Sequence, residues 1–265
     1  MVLRISFFTV LSVFLISCSA PRKKTVNLGD WNREKIEHLL SEAGQIPDPG
    51  QRVTFISAAF LETPYVANSL IGTAETAERF VLRLDGVDCF TLLDYVEALR
   101  RTSNLDEFKK TLRRIRYREG RVNFLNRNHF FSEWGDGDFT QLHNVTDLVG
   151  GTAIRRVEKQ LNQKADGTLY LPGYPVKKRG IVFILPEAVN ESLLTRLRSG
   201  DYVGIYSLDP GLDVSHSGIV VKKAGKVFLR HASSRLFLKK VVDEELLSYL
   251  AGKNGLIVYR PVNKN

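Results

Sequence analysis

The 265-residue sequence predicts an α+β fold, with a helical N-terminal half packed on an antiparallel sheet. Two observations carry that expectation. Apolar residues recur at three- and four-residue steps in the first half, the period of an amphipathic helix. Short β-rich runs bounded by glycine and proline fill the second half. No internal repeat or low-complexity tract interrupts the order. Hydrophobic residues make up 43% and charged residues 25%, enough for an ordinary core.

The elements follow in order. Residues 1–17 carry a basic start and an apolar run from Ile5 to Ile16, and Ser17-Cys18 follows. Such a run of ~7–15 apolar residues reads as a secretory signal and is shorter than the ~20 residues of a membrane span. Its end, Leu15-Ile16-Ser17-Cys18, resembles a bacterial lipobox, which implies lipidation of Cys18; the alternative is an ordinary signal with an incidental cysteine. Residues 18–29 then form a lipidated tether. Asp30 is the expected cap of a helix to about Ala43, with Ile36, Leu39 and Leu40 on its apolar face. Gly44 to Gly50 is a turn. A second helix is expected from Gln51 to about Glu62, a third from Asp88 or Cys89 to Arg101, and a fourth along Leu105, Phe108, Leu112 and Ile115. Strands are expected at Ile181–Leu185, Asp201–Tyr206, Gly218–Val221, Val227–Arg230 and Leu256–Tyr259, with a hairpin at Gly225. Residues 117–180 carry no clear period and read as long loops.

The formal net charge is +9. A basic balance suits an anionic lipid, an acidic polymer or nucleic acid, or marks a generally basic protein. Arg113, Arg114, Arg116, Arg118 and Arg121 cluster and read as a solvated helix face, with contact to an anionic substrate as the alternative. No zinc-finger or RNA-binding aromatic signature accompanies them, so no nucleic-acid partner is expected.

There are two cysteines, Cys18 and Cys89. Lipidation of Cys18 leaves Cys89 as the one thiol of an exported chain, which flags either a reactive group or an inert core residue. Cys89 follows Asp88, a plausible N-cap, so its thiol sits in a first helical turn, where the helix dipole favours thiolate. A thiolate amidase needs a base that later protonates the leaving amine. Among five histidines, His216 enters one expected strand and His231 leaves the next. Two histidines on adjacent antiparallel strands touch across the ladder if the register allows, one as base and the other orienting it. No His-Glu-x-x-His pair or compact ligand spacing supports a catalytic zinc, and no Gly-x-Ser-x-Gly elbow supports a serine nucleophile. No metal or cofactor is expected.

Several segments fall into a known order. Thr63-Pro-Tyr65-Val, Val87-Asp-Cys-Phe-Thr-Leu92, Ser199-Gly-Asp-Tyr-Val203, Ser215-His-Ser-Gly-Ile219 and His231-Ala232 resemble motifs of the papain-like NlpC/P60 wall hydrolases. The stretches Arg116-Tyr-Arg-Glu-Gly-Arg-Val122, Arg127-Asn-His-Phe-Phe-Ser-Glu-Trp134, Gly211–Ile219 and His231–Ser234 resemble a divergent branch more closely, the AmiA-like or DUF1460 N-acetylmuramoyl-L-alanine amidases. The resemblance covers roughly residues 50–262. It implies a papain-like fold with enlarged insertions, and residues 30–265 as a single cysteine hydrolase domain. It implies Cys89 as nucleophile, His216 as general base and His231 as the orienting residue. The Tyr65 hydroxyl and the Cys89 N–H become oxyanion donors. Phe90-Thr91 replaces the common Ser-Gly, and the gap from Cys89 to His216 is far longer than in minimal superfamily domains. Arg127, His129, Trp134 and Ser233 are the expected substrate contacts; for Trp134 the alternative is a core aromatic.

The implied activity is cleavage of the amide between N-acetylmuramic acid and L-alanine in peptidoglycan fragments or muropeptides. Alternatives are a D-glutamyl–diamino acid endopeptidase, a catalytically silent wall-binding lipoprotein, and an acyltransferase working through the same thioester. The expected location is the cell envelope, lipid-anchored and periplasm-facing. Ser19 after the acylated cysteine is compatible with outer-membrane sorting in a Gram-negative organism.

Overall fold

The computed structural model describes residues 25–137 and 139–263. The predicted signal segment 1–17, Cys18 and most of the tether lie outside the described residues. The end of the tether is part of the fold. Strand β1 (Val26–Asn27) pairs in parallel with β2 (Leu82–Arg83).

Helices dominate the first half, as the periodicity predicts. Helix α1 spans Arg33–Gly44 and starts at Asn32 rather than Asp30, because the Asn32 side chain accepts from Lys35 N at 2.8 Å. Helix α2 spans Pro49–Ala58, two residues earlier than expected. Asp48 caps it, and Pro49 suits a first turn whose N–H groups lack helical partners. Helix α3 is Cys89–Arg100 and α4 is Leu105–Arg116. The solvated arginine face holds for Arg113, Arg114, Arg118 and Arg121, but Arg116 is buried. Its Nε donates to Asp94 Oδ2 at 2.7 Å, which compensates the guanidinium inside the core.

The span without clear period holds three short elements, α5 (Phe131–Gly135), β3 (Leu142–Asn144) and α6 (Thr146–Gly150), and then a long hairpin. That hairpin is β4 (Ile154–Leu161) and β5 (Lys177–Ile184). Helix α7 (Glu191–Arg196), β6 (Tyr202–Tyr206), β7 (Val214–Lys223), β8 (Lys226–Ala232), β9 (Val241–Glu245), α8 (Leu246–Leu250) and β10 (Leu256–Pro261) complete the chain. The sheet is antiparallel in the order β4-β5-β10-β6-β7-β8-β9, with β3 also pairing β10. Ala224 and Gly225 both take positive φ, so the predicted hairpin turns in two residues.

The sheet is covered on both faces. On β10, Ile257 and Tyr259 join the core beneath α1 to α4, while Leu256 and Val258 join a second core with α6, α7 and α8. That alternation is the period of two expected of a strand between two layers. Asp201 ties β10 to the entrance of β6. It is fully buried, receives Arg260 through two bonds of 2.7 Å, and accepts from Arg198 N at 2.7 Å. Beside it, a side chain at Gly200 would meet the backbone of Gly50 at 2.2 Å, so glycine lets the start of α2 approach β6. Replacing Asp201 with alanine strands Arg260, and urea denaturation is expected to show a loss of about 3–5 kcal/mol.

Candidate active site

The site is built where the start of α3 meets the strands β7 and β8. Asp88 accepts from Phe90 N and Thr91 N, and Thr91 Oγ1 accepts from Asp88 N at 2.9 Å. This reciprocal capping box fixes Cys89 as the first helical residue. The segment before it is held by a short parallel pairing: Val66 N donates to Val87 O at 2.9 Å and Val87 N to Pro64 O at 3.0 Å. The pairing brings Tyr65 beside Cys89. On the other side, Ser217 Oγ on β7 donates to Cys89 O at 3.2 Å.

Cys89 is half-buried. Burial pushes its thiol up to about 11, and the neighbouring Asp88 carboxylate adds to the shift; hydrogen bonds from Ser217 oppose it. Desolvation and the N-cap carboxylate thus act against the thiolate that the helix start favours. Burial and the charges of Cys89 and Asp88 also raise the Tyr65 phenol, which stays a hydrogen-bond donor.

The two predicted histidines meet. His216 Nε2 lies 2.7 Å from His231 Nδ1. A side chain at Gly218 would meet His231 Cβ at 3.1 Å and Arg230 O at 2.8 Å, so the glycine of Ser215-His-Ser-Gly-Ile219 admits the second imidazole. Burial, the second histidine, Lys253 and Arg235 lower His216 to about 3. Burial also lowers His231, against the pull of Glu244. Among the described residues no hydrogen bond joins the Cys89 thiol to His216. Catalytic contacts of this type are often loose before substrate binds. His216 Nε2 is engaged by His231, which leaves Nδ1 for a reacting group. The Tyr249 ring lies 6.0 Å from His216 and 5.0 Å from His231, and the Cys89 charge reaches its hydroxyl.

A cleft of about 740 Å³ opens next to Cys89, walled by Asp88, Phe90, Arg127, His129 and Tyr170. Two of the expected substrate contacts thus line it. Arg127 is also committed to Glu78, to which its Nη1 donates at 3.0 Å. His129 donates through Nε2 to Phe124 O at 2.8 Å, and burial lowers it to about 3. The other two do not line it. Trp134 is fully buried, edge-on to Tyr202 at 5.2 Å, so it is a core aromatic. Ser233 is 1% exposed, its N–H donates to Lys240 O, and its Oγ is buried with no hydrogen-bond partner among the described residues.

Sequence reasoning missed Ser217, Tyr249 and Glu244. His231 Nε2 contacts Glu244 Oε2 at 2.8 Å. The signal for Glu244 was its place on a third strand beside β8; the acidic run Asp243–Glu245 disguised that strand. Among the described residues no cluster of three or more His, Cys, Asp or Glu side chains is placed to hold a metal ion. Nor is any helix among them long and apolar enough to cross a membrane.

Comparison with known proteins gives a family. The model of the family described as AmiA-like, N-acetylmuramoyl-L-alanine amidase-like, matches residues 55–256. No curated protein matches the chain. Among solved structures the chain is similar to protein LPG0564 from Legionella pneumophila str. Philadelphia 1, of the DUF1460 family model. Identity is 22% over 87% of this chain and 96% of that one, with a TM-score of 0.72. It is also similar to an N-acetylmuramoyl-L-alanine amidase from Bacteroides uniformis ATCC 8492. There identity is 25% over 81% of this chain and 99% of that one, with a TM-score of 0.69.

The lowered histidines set a pH dependence of stability. An unfolded histidine protonates near 6.5, whereas His129 and His216 resist protonation to about 3 in the fold. Below pH ~6.5 the unfolded chain therefore binds more protons, and stability falls as pH falls. Each such histidine contributes about 1.4 kcal/mol per pH unit across that window. Denaturation midpoints between pH 7 and 4 are expected to show the decline, and His129→Phe is expected to make it shallower.

Proposed function

The chain belongs to the AmiA-like, N-acetylmuramoyl-L-alanine amidase-like family, and we propose that it is a peptidoglycan hydrolase that cleaves the amide between N-acetylmuramic acid and L-alanine through a thioester on Cys89. The observation that carries the mechanism is the capped helix start at Cys89, joined through Ser217 to β7, the strand that bears His216 of the hydrogen-bonded His216–His231 pair. The same arrangement supports the papain-like, NlpC/P60 reading of the fold.

The reaction follows from the groups present. Burial keeps both the thiol and the His216 imidazole neutral at rest. The nucleophile therefore forms during attack: His216 Nδ1 takes the thiol proton as Sγ bonds to the lactyl carbonyl carbon. The oxyanion meets the Tyr65 hydroxyl and the Cys89 N–H, which has no helical acceptor in the first turn. His216 then gives its proton to the departing L-alanine nitrogen, and the C–N bond breaks to leave the thioester. Water, deprotonated by His216, attacks the thioester; the acid leaves and the thiol regains its proton. His231 holds His216 in place and shares its positive charge. The cleft between Phe90, Arg127, His129 and Tyr170 is the place for the flanking sugar or peptide. With the lipobox-like segment ending at Cys18, this chemistry belongs to a lipid-anchored enzyme of the cell envelope.

Digestion of defined muropeptides followed by mass analysis tests the bond cut. Free N-acetylmuramic acid plus an intact stem peptide is the expected outcome. A shortened stem still joined to sugar would instead assign endopeptidase activity. Cys89→Ala is expected to lower kcat by at least about 10³-fold, the scale on which loss of a catalytic nucleophile is measured, while sugar-peptide binding persists in calorimetry.

A further inference from the structure

The hydrogen-bond chain does not stop at His231. It runs from His216 Nε2 to His231 Nδ1 at 2.7 Å and from His231 Nε2 to Glu244 Oε2 at 2.8 Å. It ends at the guanidinium of Arg235, whose Nη1 donates to Glu244 Oε1 at 2.6 Å. We propose that Glu244 is a positioning residue that fixes the tautomers of both histidines, so that His216 presents an unprotonated Nδ1 to Cys89. This rests on the reading of His216 as the base.

Donors and acceptors along the chain decide the tautomers. A carboxylate paired with a guanidinium accepts hydrogen bonds and offers none. His231 Nε2 must therefore carry its proton toward Glu244. A neutral imidazole has one N–H, so His231 Nδ1 holds a lone pair. That lone pair accepts from His216, which must carry its proton on Nε2. The remaining nitrogen, His216 Nδ1, is then the lone pair free to take the thiol proton. Reversing the polarity at Glu244 reverses every link: His231 would donate from Nδ1, His216 would accept at Nε2, and its Nδ1 would be blocked by hydrogen.

Register delivers this alignment. Leu229 pairs with Glu244 and His231 with Val242, which puts Glu244 on a diagonal from His231. On the opposite strand Ile219 pairs with Arg230, and the ladder continued one residue sets His231 opposite Gly218 with His216 on the other diagonal. The three side chains thus share one face of β7, β8 and β9 at alternate positions. The charged and titratable groups around them are Arg235, Asp243, Lys253, Tyr249 and Cys89. Arg235 and Lys253 disfavour extra positive charge on the pair. Glu244 is the carboxylate in direct contact with it, so it also balances the charge that forms when His216 takes the thiol proton.

The variant Glu244→Gln keeps the shape of the side chain and loses the obligate acceptor, because its amide can also donate. Three measurements on the full chain separate the possibilities. First, ¹⁵N NMR of histidine-labelled protein reads the tautomers without substrate. The wild type is expected to show His216 protonated on Nε2, and the variant to shift toward Nδ1–H. Second, the rate of Cys89 alkylation by iodoacetamide at neutral pH is expected to fall in the variant. Third, with muropeptide, kcat is expected to drop roughly 10²–10⁴-fold with KM within a few-fold, the scale seen when a tautomer-setting carboxylate is neutralised in other triads. A variant with wild-type tautomers, or with wild-type alkylation and kcat, overturns the role of Glu244. If the tautomers shift and alkylation slows while no muropeptide is cut by either protein, the relay stands and the proposed substrate falls.

Discussion

Everything at this site depends on the seat of the α3 N-terminus. The first turn of that helix is clamped between a two-bond parallel pairing with residues 64–66 and the Ser217 hydroxyl on β7. The capping box of Asp88 and Thr91 leaves the helix no choice of starting residue. Ten of the twelve residues of α3 are buried, so the helix cannot slide or rotate to relieve strain at its tip. The rest of the fold keeps β7 and β8 at a fixed height against this helix. The two cores on either side of the sheet do so by packing, and the Asp201–Arg260 pair does so by locking β6 to β10.

That seat has a chemical consequence. The same burial that fixes Cys89 raises its thiol, and the same layer lowers both histidines. A free thiolate–imidazolium pair is disfavoured at rest, in contrast to a cysteine exposed at a helix end. A neutral thiol is a slower target for oxidants than a thiolate. In the proposed mechanism a proton must therefore move as the substrate is attacked, and the ordered chain of His216, His231 and Glu244 would give that proton one acceptor and spread the resulting charge toward a carboxylate.

Much of this was legible in the sequence. Helical periodicity located α1 to α4 within a few residues, and the Gly225 turn, β6, β7, β8 and β10 were read from their β-branched runs. Cys89, His216 and His231 came from position and motif order, and the structure joins the histidines as the strand argument required. The misses have physical causes. The apolar end of β5 was read at Ile181–Leu185, but β4 and the start of β5 are rich in lysine and arginine, so no apolar run marks them. Arg116 looked like its solvent-facing neighbours, since nothing local reveals that Asp94 on another helix awaits it. Trp134 sits in a motif shared with the amidase branch, yet its ring fills the space above Tyr202. The direction of the Cys89 shift required knowing how much of the helix tip is covered, which no spacing rule contains.

The central claim is that Cys89 carries the acyl group. The direct measurement is rapid acid quench of the full chain during turnover of an N-acetylmuramoyl-L-alanine peptide, then peptide mapping by mass spectrometry. The peptide containing Cys89 is expected to gain the mass of the N-acetylmuramoyl group, with the adduct lost on treatment with hydroxylamine. Steady product formation with Cys89 unmodified, or with alkylated Cys89 still turning over, would contradict it.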